Sequence, residues 1–156
     1  MKLSELLVES AVLHGLNGRD KWGVIDVLTD RLVETAQVAP RLRDQVRDAL
    51  VSREKAMSTG MEHGVAIPHA SVAELERPAV SMGIAPEGVD FQAIDGRPTQ
   101  LVILLVNPAN RTKDHIRTLA EIARLLSSKD MRDALVASGS SGRALEIIRA
   151  AEAVVT

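Results

Sequence analysis

The spacing of apolar residues along this chain changes period several times, and each change marks an element. Ala11, Leu13 and Gly15 alternate with Val12 and His14, which predicts a short strand over Ser10 to Leu16. Asp20 stands where a helix N-cap belongs. From Lys21 to Thr35, Trp22, Ile25, Leu28 and Leu32 recur at helical spacing and predict an amphipathic helix. Ala39-Pro40 ends it, and a second helix is expected from Arg41 to Lys55, with Leu42, Val46 and Leu50 in one row. Gly64 to Ile67 reads as a strand with Val65 and Ile67 on one buried face. Pro68 has no N–H to donate, so pairing is expected to stop there and leave His69 on a rigid stalk at the sheet's edge.

The second half alternates in the same way. Pro78 to Ala85 predicts a strand, Pro86-Glu87-Gly88 a turn, and Val89 to Phe91 a return to extended backbone. Asp95-Gly96 is a turn signal. Gln100 to Val106 is an almost unbroken apolar run, as expected of a central strand covered on both faces, and Pro108 closes it. Helices are expected over Thr112 to Leu126, Ser128 to Val136 and Arg143 to Ala151, with a loop at Gly139 to Gly142. This mixture indicates a layered α/β fold, read as one domain over residues 1–156.

Composition narrows the function. Trp22 and Phe91 are the only aromatic residues, too few for a base-stacking surface, and a net charge of −2 offers no field for phosphate backbones. No nucleic-acid partner is expected. There is no cysteine, which removes disulfides, thiolate metal sites and cysteine nucleophiles. No apolar run approaches the roughly 20 residues that span a bilayer, so no membrane insertion and a cytoplasmic location are expected. No cofactor is expected either.

The chemistry concentrates at His69. Histidine changes charge near neutral pH, and a neutral, accessible imidazole at a strand end is a nucleophile. The residues around it, Gly60-x-x-x-Gly64-Val65-Ala66-Ile67-Pro68-His69, resemble the phosphorylation-site motif of the type-2 enzyme IIA domains of the bacterial phosphoenolpyruvate-dependent phosphotransferase system. That family includes the fructose and mannitol IIA domains and the nitrogen-regulatory IIA protein. The segment Val89-Asp90-Phe91-x-Ala93-Ile94-Asp95-Gly96, the Leu101-to-Val106 run and the closing helices extend the resemblance over nearly the whole chain. It implies a mixed, roughly five-stranded sheet flanked by helices on both sides.

The resemblance also implies a phosphotransferase that forms a phosphohistidine intermediate. His69 would accept the phosphoryl group from an HPr-like protein and pass it on. In mannitol-type members an arginine lies sixteen positions before the active histidine and a second histidine forty-six positions after it. Arg53 and His115 stand at those places here. A guanidinium can hold phosphoryl oxygens in bidentate fashion, and a second imidazole can donate a hydrogen bond to the charge in transfer. One His69 nitrogen would carry the phosphoryl group and the other would be held by a backbone acceptor; the family precedent is attack through Nε2.

The IIB domains of the fructose and mannitol branch use a cysteine, so the acceptor would be a separate IIB protein or a regulatory target. The opening Met1-Lys2-Leu3-Ser4-Glu5-Leu6-Leu7 resembles the regulatory branch and favours nitrogen-type regulation over sugar uptake.

Plainer readings compete at each position. Arg53 alone would be a solvated helix charge paired with Glu54 or Asp48, and His115 an exposed first-turn residue. His63 reads as a loop histidine and His14 as a strand residue without a role. Thr59 and Ser71 could offer hydroxyls to phosphoryl oxygens, although such hydroxyls usually satisfy nearby backbone. Met61, Ile67 and Ile116 are candidates for exposed apolar docking contacts. Two alternatives to phosphotransfer remain: a metal-dependent hydrolase using His63, His69 and His115, since catalytic zinc commonly takes three protein ligands, or a IIA-like interaction domain without transfer.

Overall fold

The apolar run at Gln100 to Val106 lies inside a ten-residue strand, β5 (Thr99–Pro108), on which the sheet is built. The computed structural model describes residues 2–16 and 19–153. The elements preceding β5 are α1 (Leu3–Leu6), β1 (Val12–His14), α2 (Lys21–Glu34), α3 (Arg43–Ala56), β2 (Val65–Ala66), β3 (His69–Val72) and β4 (Ala79–Val89). Those following it are α4 (Thr112–Leu125), α5 (Lys129–Val136) and α6 (Ser141–Ala153). β5 pairs antiparallel with β4 on one side and parallel with β2 and then β3 on the other, while β1 runs parallel to β4 at the far edge. The result is the expected mixed five-stranded sheet.

Alternate residues of β5 feed two cores. Leu101, Ile103 and Leu105 join Val65, Ile67, Ile122, Leu135 and Ile148 on one face. Val102, Leu104 and Val106 join Ile25, Leu28, Leu32, Val46 and Leu50 on the other. Helices therefore cover both faces, which is why this strand carries no polar alternation. Among the described residues, no helix is long and apolar enough to cross a membrane.

The helix signals hold locally. The Asp20 carboxylate accepts the Gly23 N–H at 2.8 Å and caps α2. Ile25, Leu28 and Leu32 are fully buried, whereas Trp22 is only half-buried. The second helix begins later than expected. Pro40 starts a 3-10 turn through Leu42, and α3 follows from Arg43.

Four features differ from the expected elements or were absent from them. First, β4 runs through Pro86-Glu87-Gly88 without a turn. Its register shifts between Ile84 and Val89, and Gly88 takes a φ of +84°, so a kink replaces the reversal. Second, the N-terminus is structured. Leu3 and Leu7 are buried, and the Ser4 N–H donates to the Glu152 carboxylate at 3.2 Å, tying α1 to α6. Third, Pro68 does not end the pairing. Val65 stands opposite Leu101 and His69 opposite Leu105, so the same register continues past the proline. Proline loses only its N–H; its carbonyl still accepts from Leu105 at 3.0 Å. His69 thus belongs to an edge strand instead of a stalk beyond one. Fourth, Ile67 is buried and offers no docking contact.

A side chain completes the sheet where β1 is too short. β1 pairs only with Met82 to Ile84, yet β4 begins at Ala79. Ala36 turns the chain at a φ of +59°, and the Gln37 amide then fits against buried Val80. Val80 N–H donates to Gln37 Oε1 at 3.0 Å, and Gln37 Nε2 donates to the Val80 carbonyl at 3.1 Å. Gln37→Ala leaves both backbone groups without a partner, and a loss of about 1–3 kcal/mol is expected in urea unfolding. An unchanged midpoint would mean that water serves Val80 equally well.

Candidate functional site

His69 opens β3 on the face that packs against α4, and its orientation follows from edge-strand geometry. The Gly64 and Pro68 carbonyls turn inward and accept from Leu101 and Leu105. The intervening odd-numbered residues turn their backbone groups outward. The Val65 carbonyl accepts from Met61 N–H at 2.7 Å, and Ile67 N–H donates to the Thr59 carbonyl at 3.2 Å. Another outward group, the Ile67 carbonyl, lies 2.7 Å from His69 Nδ1. A carbonyl only accepts, so Nδ1 carries the proton and the Nε2 lone pair is left free.

The two other predicted site residues stand near this imidazole on different helices. Arg53, in the last turn of α3, lines a groove of about 390 Å³ together with His69, Thr59, Gly60, Ile94 and Leu119. Its Nη1 donates to the Met57 carbonyl at 2.9 Å, which steadies the guanidinium at the helix end. Asp48 pairs instead with Arg47, and Glu54 turns into the interior. His115, in the first turn of α4, sets its ring 5.5 Å from that of His69, tilted by 48°. It is buried, not exposed as a first-turn residue would be, and its Nδ1 has no hydrogen-bond partner among the described residues. Burial first, and the neighbouring His69 second, hold its pKa below the ordinary imidazole value.

The motif glycines have separate causes. A side chain on Gly60 would put its Cβ 2.8 Å from the Phe91 carbonyl oxygen and 2.9 Å from Ala93 Cα, so the close approach of two loops requires glycine. Gly64 needs it for conformation, with a φ of +76°.

Other candidates fall away from the centre. The Thr59 hydroxyl donates to Glu54 Oε2 at 2.6 Å and is committed to the interior. Ser71 is exposed on β3. His63 is an exposed loop residue with a φ of +66°. Its N–H is held by Asp95 at 3.0 Å and its ring faces Glu62 at 3.7 Å. His63, His69 and His115 therefore do not assemble as a triad: among the described residues, no three metal-ligating side chains converge. His14 bonds Ser138 Oγ at 3.2 Å on the opposite edge strand.

Around the groove, Met57, Met61, Ile94 and Ile116 expose apolar surface. Met57 and Ile94 were not foreseen. Both are single apolar residues in loops, where no periodicity marks them.

Sequence reasoning also missed a buried ion pair beneath the groove. Lys21 Nζ lies 3.0 Å from Glu54 Oε1, with both side chains almost wholly buried. The signal was available: Leu42, Val46 and Leu50 form a row at every fourth position, and the next place in that row is Glu54.

This arrangement suits phosphoryl chemistry, and similarity to known proteins points the same way. Residues 5–151 match the family described as "Phosphoenolpyruvate-dependent sugar phosphotransferase system, EIIA 2". The fructose-specific EIIABC component of Bacillus subtilis is 31% identical over 95% of this chain, which spans only 23% of that protein. A nitrogen regulatory protein of Bradyrhizobium diazoefficiens is 33% identical over 88% of both chains. In structure, the nitrogen regulatory protein IIA-Ntr of Neisseria meningitidis superposes with a TM-score of 0.83 at 30% identity, covering 93% of this chain and 97% of that one. A match over this much of the sequence is decisive: the chain belongs to the EIIA 2 family of the phosphoenolpyruvate-dependent sugar phosphotransferase system.

Proposed function

We propose that this protein is a phosphohistidine carrier in which His69 Nε2 is the acceptor. The observation that carries the reading is the 2.7 Å bond from His69 Nδ1 to the Ile67 carbonyl, which leaves the other nitrogen as a lone-pair donor. The donor is a phosphohistidine protein of the HPr type. A new N–P bond forms with the Nε2 lone pair while the donor's N–P bond breaks and returns its pair to the donor ring. The Nδ1 proton stays where it is.

The remaining residues receive charge. The Arg53 guanidinium stays cationic and, among the described residues, keeps donors free beyond the one given to Met57. His115 is held neutral, so it supplies a dipole. An unpartnered buried lone pair costs less than an unpartnered buried N–H, which puts its proton on Nε2 and its lone pair on the enclosed Nδ1. The apolar rim of Met57, Met61, Ile94 and Ile116 suits successive docking of donor and acceptor.

The acceptor is a IIB protein or a regulatory target. A relative whose name joins A, B and C components in one chain supports the first. We favour nitrogen-type regulation on the resemblance of the opening segment Met1 to Leu7 to that branch, since fructose and nitrogen regulatory relatives match this chain to a similar extent. Transfer to the cysteine of an isolated fructose-type IIB protein, at a rate equal to that of a fructose IIA, would overturn that preference.

The test of the carrier reading is phosphorylation by phosphoenolpyruvate, enzyme I and HPr. His69→Ala is expected to gain no acid-labile phosphate. Arg53→Ala and His115→Ala are each expected to slow transfer on the order of 10²- to 10³-fold, the usual effect of removing one charge-stabilising donor. Full labelling of His69→Ala would refute the assignment.

His115 also gives the pH dependence of stability a sign. Unfolded, it takes up its proton near pH 6.5; folded, only at lower pH. Its contribution is present above about pH 6.5 and is lost as pH falls through the depressed folded value. Replacing it by Gln is expected to shrink the drop in denaturant midpoint between pH 7 and pH 5. Equal drops would mean that other groups govern the acid limb.

A further inference from the structure

We propose that Glu54, held in place by Lys21, is a positioning residue that fixes the tautomer and orientation of His69. The consequence for phosphotransfer rests on the carrier reading; the effect on the imidazole does not. The bonds form one chain. Lys21 Nζ reaches Glu54 Oε1 at 3.0 Å, and Glu54 accepts both the Thr59 N–H at 2.8 Å and the Thr59 hydroxyl at 2.6 Å. The Thr59 carbonyl accepts from Ile67 N–H at 3.2 Å, and the Ile67 carbonyl accepts from His69 Nδ1 at 2.7 Å. The carboxylate thus grips the residue that grips the residue that grips the nucleophile.

Burial sharpens the point. Lys21 is 4% exposed and Glu54 is 3% exposed. Buried ion pairs lose so much hydration that apolar replacements are often equally stable, so stability alone does not account for this one. Its use lies in direction. Lys21 also donates to Gln92 Oε1 at 3.0 Å and lies 5.7 Å from the Phe91 ring, which fixes it from the loop after β4. The Ser58 hydroxyl donates to the Phe91 carbonyl at 2.7 Å and accepts the Gly60 N–H at 3.1 Å, tying the same loop to the groove floor. Glu54 follows Arg53 in the last turn of α3, so one carboxylate registers both the guanidinium's helix and the histidine's strand.

The experiment compares the wild-type protein, Glu54→Gln, and the double variant Lys21→Met/Glu54→Gln. The double variant leaves no unpaired buried charge, so it keeps the test alive if the single variant fails to fold. The first readout is ¹⁵N NMR of the His69 ring at neutral pH, assigned by comparison with His69→Gln. The wild type is expected to show a protonated Nδ1 and a bare Nε2. The variants, with native-like amide spectra, are expected to show a mixed tautomer. The second readout is transfer from HPr, with kcat expected to fall roughly 10- to 100-fold and the KM for HPr little changed, as for a misplaced reacting group.

An unchanged His69 tautomer in a folded double variant overturns the proposal, whatever the kinetics. Wild-type protein that takes no phosphate from HPr overturns the carrier reading instead and leaves the NMR comparison decisive for Glu54.

Discussion

A strand at the edge of a sheet presents alternate N–H and C=O groups that the sheet does not satisfy. β2 and β3 form such an edge, and this molecule meets the requirement with the loop that follows α3 and with one side chain. Met61 and Thr59 serve Val65 and the Ile67 N–H, and the imidazole of His69 serves the Ile67 carbonyl. Edge protection and orientation of the candidate nucleophile are therefore the same bond. Pro68 helps by what it lacks. Its fixed φ sets the angle between Ile67 and His69, and the missing N–H faces β5, so the outward row is untouched. The close pass of Gly60 against Phe91 and Ala93 holds the loop near enough to make these bonds.

The site divides its electrostatic work by depth. The permanently charged group, Arg53, sits half-exposed at the rim, where water offsets the cost of its charge. The group beside the imidazole, His115, is enclosed and neutral. A second cation there would be expensive to bury, and beside His69 it would also compete for the incoming charge. Under the proposed transfer, an anion arriving at Nε2 would meet a cation from α3 and a dipole from α4. Neither helix reaches the sheet without the two cores that β5 separates, so the central strand sets the spacing of the site as well as the fold.

Much of this was legible because it is local. The Asp20 cap, the Ile25-Leu28-Leu32 stripe and the uninterrupted apolar run of β5 are each stated within a few residues. The motif pointed to His69, the family resemblance pointed to Arg53 and His115, and the fold brings Arg53 to the same groove and His115 to the same ring. What escaped depends on distant partners. The short helix at Leu3–Leu6 makes sense only against Glu152, more than a hundred residues away. The amide of Gln37 finds Val80 because β1 is short, a fact that no window of sequence contains. The turn expected at Pro86-Gly88 became a kink because β5 continues opposite Val89 and keeps β4 extended.

The buried pair is a different kind of miss, since each half breaks a local rule. Lys21 occupies the first position of α2, where the helix dipole disfavours a cation, and Glu54 occupies the last turn of α3, where it disfavours an anion. Glu54 also interrupts the apolar row that runs through Val46 and Leu50. Taken singly, each is an awkward placement that a long flexible side chain would relieve by reaching water. Taken together, the two violations have opposite sign, face the same interior and cancel. Local rules that fail in complementary pairs mark places where a sequence serves something beyond the stability of its elements. In this chain that place lies directly under the groove of His69.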